Sequence, residues 1–442
     1  MQKNITTSIR ELRTFLILWL TQSFSELGSA MTNFALVIWS YQQQGSALTT
    51  SLLAICSYAP YVVLSIFAGA LSDRWNKKLT MLVSDSFAAL CTVSVLVLLT
   101  TGHLQIWHLY VINTLNGLMN TVQQPASDVA VSLLAPQKHY QKVGGLRSFS
   151  NSLVTVLTPV LATALLSFTS LQAVLLFDLF TFSVAFAALL FFIKIPPVTE
   201  KSRKEETVLQ SAKSGLRYLK SNRGILNLIL LLAVINFTAS IFNAALPAMM
   251  LSREGGGELA LGMVNTVTGL ATMLGSVLAT VLPPPKSRVR VILNSLLFSM
   301  STENFILAFG RSTQVWCFGA VLGWIFIPVM SANMDVLFRS RIPIEMQGRV
   351  YSARNTLQFF TIPLGYLCGG VLVDRVFEPF MAAQPADSLL IMLFGAGKGS
   401  GAALLFLVIG VFGSLSCLPF RADKNIRELE EYDGRLNNST SG

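Results

Sequence analysis

The sequence predicts an all-α membrane protein, with twelve transmembrane helices in two six-helix parallel pseudo-repeats. Three observations predict it. The 442 residues are 52% hydrophobic and only 12% charged, whereas a soluble chain carries about 25% charge. The apolar residues gather in twelve runs, each near the roughly 20 residues a helix needs to cross a bilayer. The chain also repeats itself: Asp128-Val129, Pro136, Val143 and Arg147 recur as Asp335-Val336, Pro343, Val350 and Arg354, all at an offset of 207. Asn33, Ala35 and Leu36 recur as Asn243, Ala245 and Leu246 at an offset of 210. Parallel repeats of this kind are the architecture of a large transporter class, whose substrate site lies near the bilayer midplane.

In chain order, spans 1 to 6 cover about Phe15–Ser40, Thr49–Leu71, Leu79–Thr100, Ile106–Ala126, Val143–Phe168 and Leu171–Ile193. Spans 7 to 12 cover about Ile225–Met250, Leu259–Leu282, Val291–Phe309, Val315–Phe338, Val350–Val373 and Gly401–Phe420. Helices are the required conformation, because backbone polar groups in lipid must be paired internally. The strands of a membrane barrel would alternate polar and apolar residues, and these runs do not. The expected organisation is an N-terminal bundle over 1–193, a cytoplasmic linker loop over 194–223, a C-terminal bundle over 224–420 and a cytoplasmic tail over 421–442 that frays into disorder.

Orientation follows from Lys and Arg. With the N-terminus placed in the cytoplasm, 28 of the 32 basic residues fall on that side. The other face holds Arg253, Arg311, Arg375 and Lys398. The positive-inside rule then puts both termini in the cytoplasm. The net charge of +10 does not indicate a nucleic-acid partner, because the cations lie in short loops between apolar runs. The five cysteines lie inside those runs and do not form a disulfide framework.

No enzyme, metal or cofactor constellation is visible; His103, His108 and His139 stand isolated. Gly395-Ala396-Gly397-Lys398-Gly399-Ser400 looks phosphate-like, but Gly399 follows the Lys and Met392 occupies the first glycine position of the nucleotide-loop pattern.

Between spans 2 and 3 stands Gly69-Ala70-Leu71-Ser72-Asp73-Arg74-Trp75-Asn76-Lys77-Lys78. This resembles the signature loop of the major facilitator superfamily. Gly69 permits close helix packing, and Asp73 can pair with a helix N-terminus across a cytoplasmic gate. Arg74, Lys77 and Lys78 can pair with carboxylates there. Asn76 replaces the usual Gly. Ile327-Pro328, Arg341-Ile342-Pro343, Gln347-Gly348-Arg349-Val350-Tyr351-Ser352 and Ile362-Pro363-Leu364-Gly365 are similar to the macrolide-efflux branch of the drug/proton antiporters. So are Gly28-Ser29 and Phe34-Ala35-Leu36 in span 1, and Phe177-Asp178 with Thr181-Phe182 in span 6. The resemblance covers essentially the whole chain. It departs from the wider exporter pattern in span 4, where Asn113 replaces an arginine, and in span 5, where only Thr158-Pro159 remains of the antiporter motif.

Polar groups inside the spans are the candidate site. A charge at mid-membrane costs about 3 kcal/mol on insertion scales. Glu26 lies halfway along span 1, near Gln22 and Asn33. It is either a proton or cationic-substrate site or a neutral carboxyl bonded between helices. Glu303 in span 9 and Asp128 at the end of span 4 are further coupling candidates; Asp178 reads as an anchor of span 6. Span 4 carries Asn113, Asn116, Asn120, Gln123 and Gln124 on one stripe, which faces either a wet cavity or a neighbouring helix. Asn243 is the repeat counterpart of Asn33 and is expected to line the same cavity. Asp128 with Arg147, and Asp335 with Arg354 near Arg349, read as ion pairs of the inner gate.

The resemblance implies a secondary active exporter of hydrophobic or amphipathic small molecules, working by alternating access and coupled to protons. Its expected partners are an amphipathic substrate, protons and lipid. Its expected form is a monomer in a bacterial inner membrane. The alternatives are a lysophospholipid flippase, a siderophore or metabolite exporter, and a non-transporting membrane receptor.

Overall fold

The computed structural model describes residues 11–136, 139–196, 208–426 and 428–429. All of the regular structure among them is helical. In the first half run α1 (Arg13–Gln44), α2 (Ala47–Arg74), α3 (Lys77–Thr100), α4 (Ile106–Leu134), α5 (Tyr140–Phe168) and α6 (Leu171–Ala187). A π-helical turn, Ala188–Phe192, ends α6. The loops supply local stops and starts. Asn76 caps α3 by accepting the Leu79 amide at 3.1 Å. His108 Nδ1 accepts the Gln105 amide at 3.0 Å in a capping box at the start of α4, so this ring has a structural partner.

Ten helices among the described residues are long and apolar enough to cross a membrane. The two predicted spans that miss this criterion are α1 and α4. Both are long, at 32 and 29 residues. Their polar load is what excludes them: Gln22, Glu26 and Asn33 in α1, and the Asn/Gln stripe with Asp128 in α4. A spanning helix with this much polar surface must turn it away from lipid.

The second half holds α7 (Val208–Ser221), α8 (Arg223–Ser252), α9 (Glu258–Val281), α10 (Arg288–Phe309), α11 (Thr313–Trp324), α12 (Ile327–Arg341), α13 (Ile344–Phe359), α14 (Thr361–Val371), α15 (Glu378–Ala382), α16 (Leu389–Phe394) and α17 (Ser400–Ala422). Spans 10 and 11 are each interrupted. Span 10 breaks into α11 and α12 just before Pro328, and span 11 into α13 and α14 just before Pro363. Proline lacks the amide that would continue the ladder. A second π turn, Leu372–Phe377, follows α14.

Two expectations are corrected. The linker is not all loop: α7 fills 208–221, because Leu219 is buried in a cluster with Ile225, Leu228 and Ile342. Nor does the tail fray at 421. Asn227 Nδ2 donates to Asp423 Oδ2 at 2.7 Å, and Ile426 is buried in that same cluster. Residues 430–442 lie outside the described residues.

The chain divides into two compact units, Met1–Gln43 with Leu53–Glu205, and Gln44–Leu52 with Glu206–Gly442. The first unit packs around Met31, Leu109, Val174 and Leu175, with a second cluster at Leu18, Met81 and Leu189. The second packs around Leu228, Ile292, Leu296 and Leu337.

Candidate functional site

The first unit holds a partly open cavity of about 710 Å³ to which all six of its long helices contribute. α1 supplies Gln22, Glu26 and Asn33; α2 supplies Tyr58 and Tyr61; α3 supplies Asp85 and Thr92. Asn120, Gln123 and Gln124 come from α4, Arg147 from α5, and Asp178 from α6. Leu18, Phe15 and Phe182 add apolar surface. Glycines let the wall close. A β carbon on Gly28 of α1 would strike Thr181 on α6, and one on Gly117 of α4 would strike the Ser57 carbonyl on α2.

The carboxylates of this cavity differ in what holds them. Asp178 is 5% exposed and accepts hydroxyl hydrogen bonds from Ser29 at 3.0 Å and Thr92 at 2.9 Å. It ties α1, α3 and α6 together. Asp85 accepts from the Gln22 side-chain amide at 3.2 Å and from that of Gln123. Glu26 is exposed to the cavity, and no hydrogen bond reaches its carboxylate among the described residues. Its electrostatic partner is Arg147. Arg147 in turn donates to Asp128 at 2.5 Å, with both side chains about half exposed at 40% and 49%. A pair this wet contributes little to stability, about 0–1 kcal/mol.

Of the span 4 stripe, Asn120, Gln123 and Gln124 line the cavity, while Asn113 and Asn116 are not among its lining residues. The Asn116 side-chain oxygen is buried without a hydrogen bond. Asn243 sits exposed on α8 in the second unit and is not among the lining residues either. Glu303 is also in the second unit, 4% exposed. Its Oε1 accepts from Trp324 Nε1 at 3.1 Å, and Gly323 leaves room for the carboxyl.

Around the expected gate, the partners differ from those read off the loop. Among the described residues Lys78 has no carboxylate partner. It donates to the carbonyls of Leu190 at 2.9 Å and Ile193 at 2.7 Å, at the C-terminal end of the α6 π turn, where helix carbonyls are unpaired. Lys77 is buried and donates to the Trp75 carbonyl at 3.2 Å. Arg354 lies over the Phe338 ring at 5.5 Å and donates to Asn355 at 3.3 Å, and Asp335 is exposed. His139 is not isolated: its Nε2 lies 2.8 Å from Glu11. Gly69 and the side chains of Asp73, Arg74 and Arg349 lie outside the described residues.

Asp85 was legible and is absent from the sequence-derived candidates. It is the sole acidic residue of its apolar run, Leu79–Thr100, so the cost that singles out Glu26 applies to it equally. Among the described residues no group of His, Cys, Asp and Glu could hold a metal.

The model for the Major Facilitator Superfamily matches residues 18–366. The chain is 21% identical over 366 residues to macrolide efflux protein A of Streptococcus pyogenes, covering 82% of this chain and 90% of that protein. It is 24% identical over 412 residues to the uncharacterized MFS-type transporter YfiS of Bacillus subtilis strain 168, covering 89% and 94%. Among solved structures it is similar to a point mutant of nucleoside transporter NupG, with a TM-score of 0.69 and 11% identity over 92% of this chain and 99% of that one. A bacterial metal transporter matches at a TM-score of 0.62 and 17% identity over 93% and 98%. These likenesses are to transporters, not enzymes, and with a family match spanning most of its length the chain belongs to the major facilitator superfamily as a multi-pass membrane transporter.

Proposed function

We propose that this transporter is a secondary active exporter of hydrophobic or amphipathic small molecules, driven by proton exchange. The observation that carries this reading is the mixed lining of the first unit's cavity. Tyr58, Tyr61, Leu18 and Phe182 offer apolar and aromatic surface, while Glu26 and Asp85 offer negative charge. Asp178 is engaged by two hydroxyls, Asp85 by two side-chain amides and Arg147 by Asp128. The uncommitted charge among the described residues is therefore that of Glu26, which suits an amphipathic molecule bearing a cationic group. The relatives named macrolide efflux protein A support the same substrate class.

Glu26 is the exchange point in this reading. Its carboxylate can take either a proton or the substrate's cation, and competition between the two couples their fluxes. The charge asymmetry of the loops supports a bacterial inner-membrane location with both termini in the cytoplasm. The transporter acts as a monomer.

The test is purified protein in liposomes with an imposed pH gradient, offered either a macrolide or a labelled lysophospholipid. Gradient-driven macrolide movement supports the exporter. Lysolipid translocation without macrolide movement replaces it with a flippase.

A further inference from the structure

α7 leads directly into a membrane-spanning helix. Asn222 separates the two: its side-chain amide donates to the Tyr218 carbonyl at 2.9 Å. α8 begins at Arg223 and is long and apolar enough to cross the bilayer, so the end of α7 lies at the bilayer surface. One face of α7 is committed to the protein. Gly215 and Leu219 are buried, Leu219 in the cluster that holds Ile225, Leu228 and Ile342. The Tyr218 hydroxyl donates to the Arg341 carbonyl at 3.2 Å. These contacts lie wholly in the second unit, and they fix the rotation of α7 about its own axis.

The opposite face is cationic. At about 3.6 residues per turn, Lys213, Arg217 and Lys220 share it, and all three are exposed. α7 contains no acidic residue that could pair with them along the helix, and none of the three has a carboxylate partner among the described residues. Leu216 lies between Lys213 and Lys220 at the edge of this face and is 45% exposed. A single exposed leucine is ordinary on a protein surface. Here it stands among three cations, on a helix that runs straight into a span. That is the pattern of a helix lying in the headgroup region, with its apolar side chain toward the acyl boundary and its cations toward the phosphates.

We propose that this face of α7 binds anionic phospholipid headgroups, with Lys213, Arg217 and Lys220 on the phosphates and Leu216 at the acyl boundary. Attraction between a basic segment and a negatively charged bilayer falls off within a Debye length, so the contact forms only where the helix lies against the lipid. It is independent of which compound is carried and of how transport is energised.

The test uses the full chain and no substrate. Leu216→Cys is labelled with an apolar maleimide dye that takes the place of the leucine, and the signal from the parent chain's own cysteines is subtracted. The purified protein is placed in vesicles of phosphatidylcholine alone or of an equimolar mixture with phosphatidylglycerol. Both contain a phosphatidylcholine with a nitroxide on its acyl chain, which quenches a dye at the acyl boundary. Quenching is expected to rise about twofold with phosphatidylglycerol. The rise should vanish when Lys213→Gln, Arg217→Gln and Lys220→Gln are combined. No rise with the parent cations overturns the proposal and leaves the face to water or to an acidic protein. An equal rise in the neutralised chain also overturns it, because the bilayer charge would then act elsewhere. Exposed substitutions of this kind change stability little. Should the combined variant nonetheless fail to reach the membrane, concentrated salt decides with the parent cations in place. Screening should abolish the rise; its persistence overturns the proposal.

Discussion

Gln22 on α1 donates its side-chain amide to Asp85 on α3 at 3.2 Å, and Gln123 on α4 donates to the other oxygen of the same carboxylate. One half-buried acid therefore joins three helices and at the same time faces the cavity. Asp85→Asn keeps the shape but removes the charge and turns an amide toward two amides. It is expected to keep the protein folded and to slow proton-driven efflux in liposomes by about tenfold or more, the equivalent of at least about 1.4 kcal/mol. Asp85→Ala strands both glutamine amides and should lower stability by about 1–3 kcal/mol, read as a drop in thermal midpoint. Full efflux by Asp85→Asn would reduce Asp85 to a tie between helices.

Glu26→Gln fixes the side chain in a form resembling the protonated acid. Because no hydrogen bond from the described residues holds the Glu26 carboxylate, stability should change by less than about 0.5 kcal/mol. Efflux driven by a pH gradient should stop, while downhill substrate exchange continues. Gradient-driven efflux at the wild-type rate would sink the coupling role and leave Asp85 or Asp128 as the next candidate.

Glu303 makes a contrasting pair of predictions. Its contacts in the second unit are with Trp324 and Gly323. Glu303→Gln retains an oxygen acceptor for the indole and should leave transport within about twofold of wild type. Glu303→Ala leaves a void and an unpaired Trp324 N–H, and should cost about 2–4 kcal/mol. If Glu303→Gln instead abolished proton-driven transport at an unchanged thermal midpoint, Glu303 would be a coupling group rather than packing.

Asp423, beyond the end of α17, gives a pH dependence of known sign. Burial on its own would raise its pKa, but the Ile426 and Asn425 amides and the Asn425 and Asn227 side chains outweigh it and hold the carboxyl below its ordinary value of 3.8. The folded protein therefore binds this proton less readily than the unfolded chain. The stabilisation is fully present above about pH 4 and is lost as pH falls through the folded value. Asp423→Asn should lower the thermal midpoint at about pH 7, and the difference from wild type should shrink below about pH 4. A difference that grows on acidification would contradict the hydrogen-bonded geometry.

The spans, their helical conformation and the twofold internal repeat are determined by the sequence alone. In lipid each backbone polar group must find its partner within its own segment, so a run such as Leu171–Ile193 carries its fold in its own composition. Glu26 and the polar stripe of α4 are marked in the same way, by the cost of polar groups in an apolar run. Which side chains meet is a different matter. Asp85 finds Gln22 across 63 positions of sequence and Gln123 across 38. Lys78 has a basic-loop sequence that suggests a carboxylate partner, yet it lies on the carbonyl end of α6. Nearly uniform hydrophobicity leaves the rotation of each helix about its axis unspecified. Only close packing at small residues such as Gly28 and Gly117 sets those rotations, and with them the side chains that form the cavity.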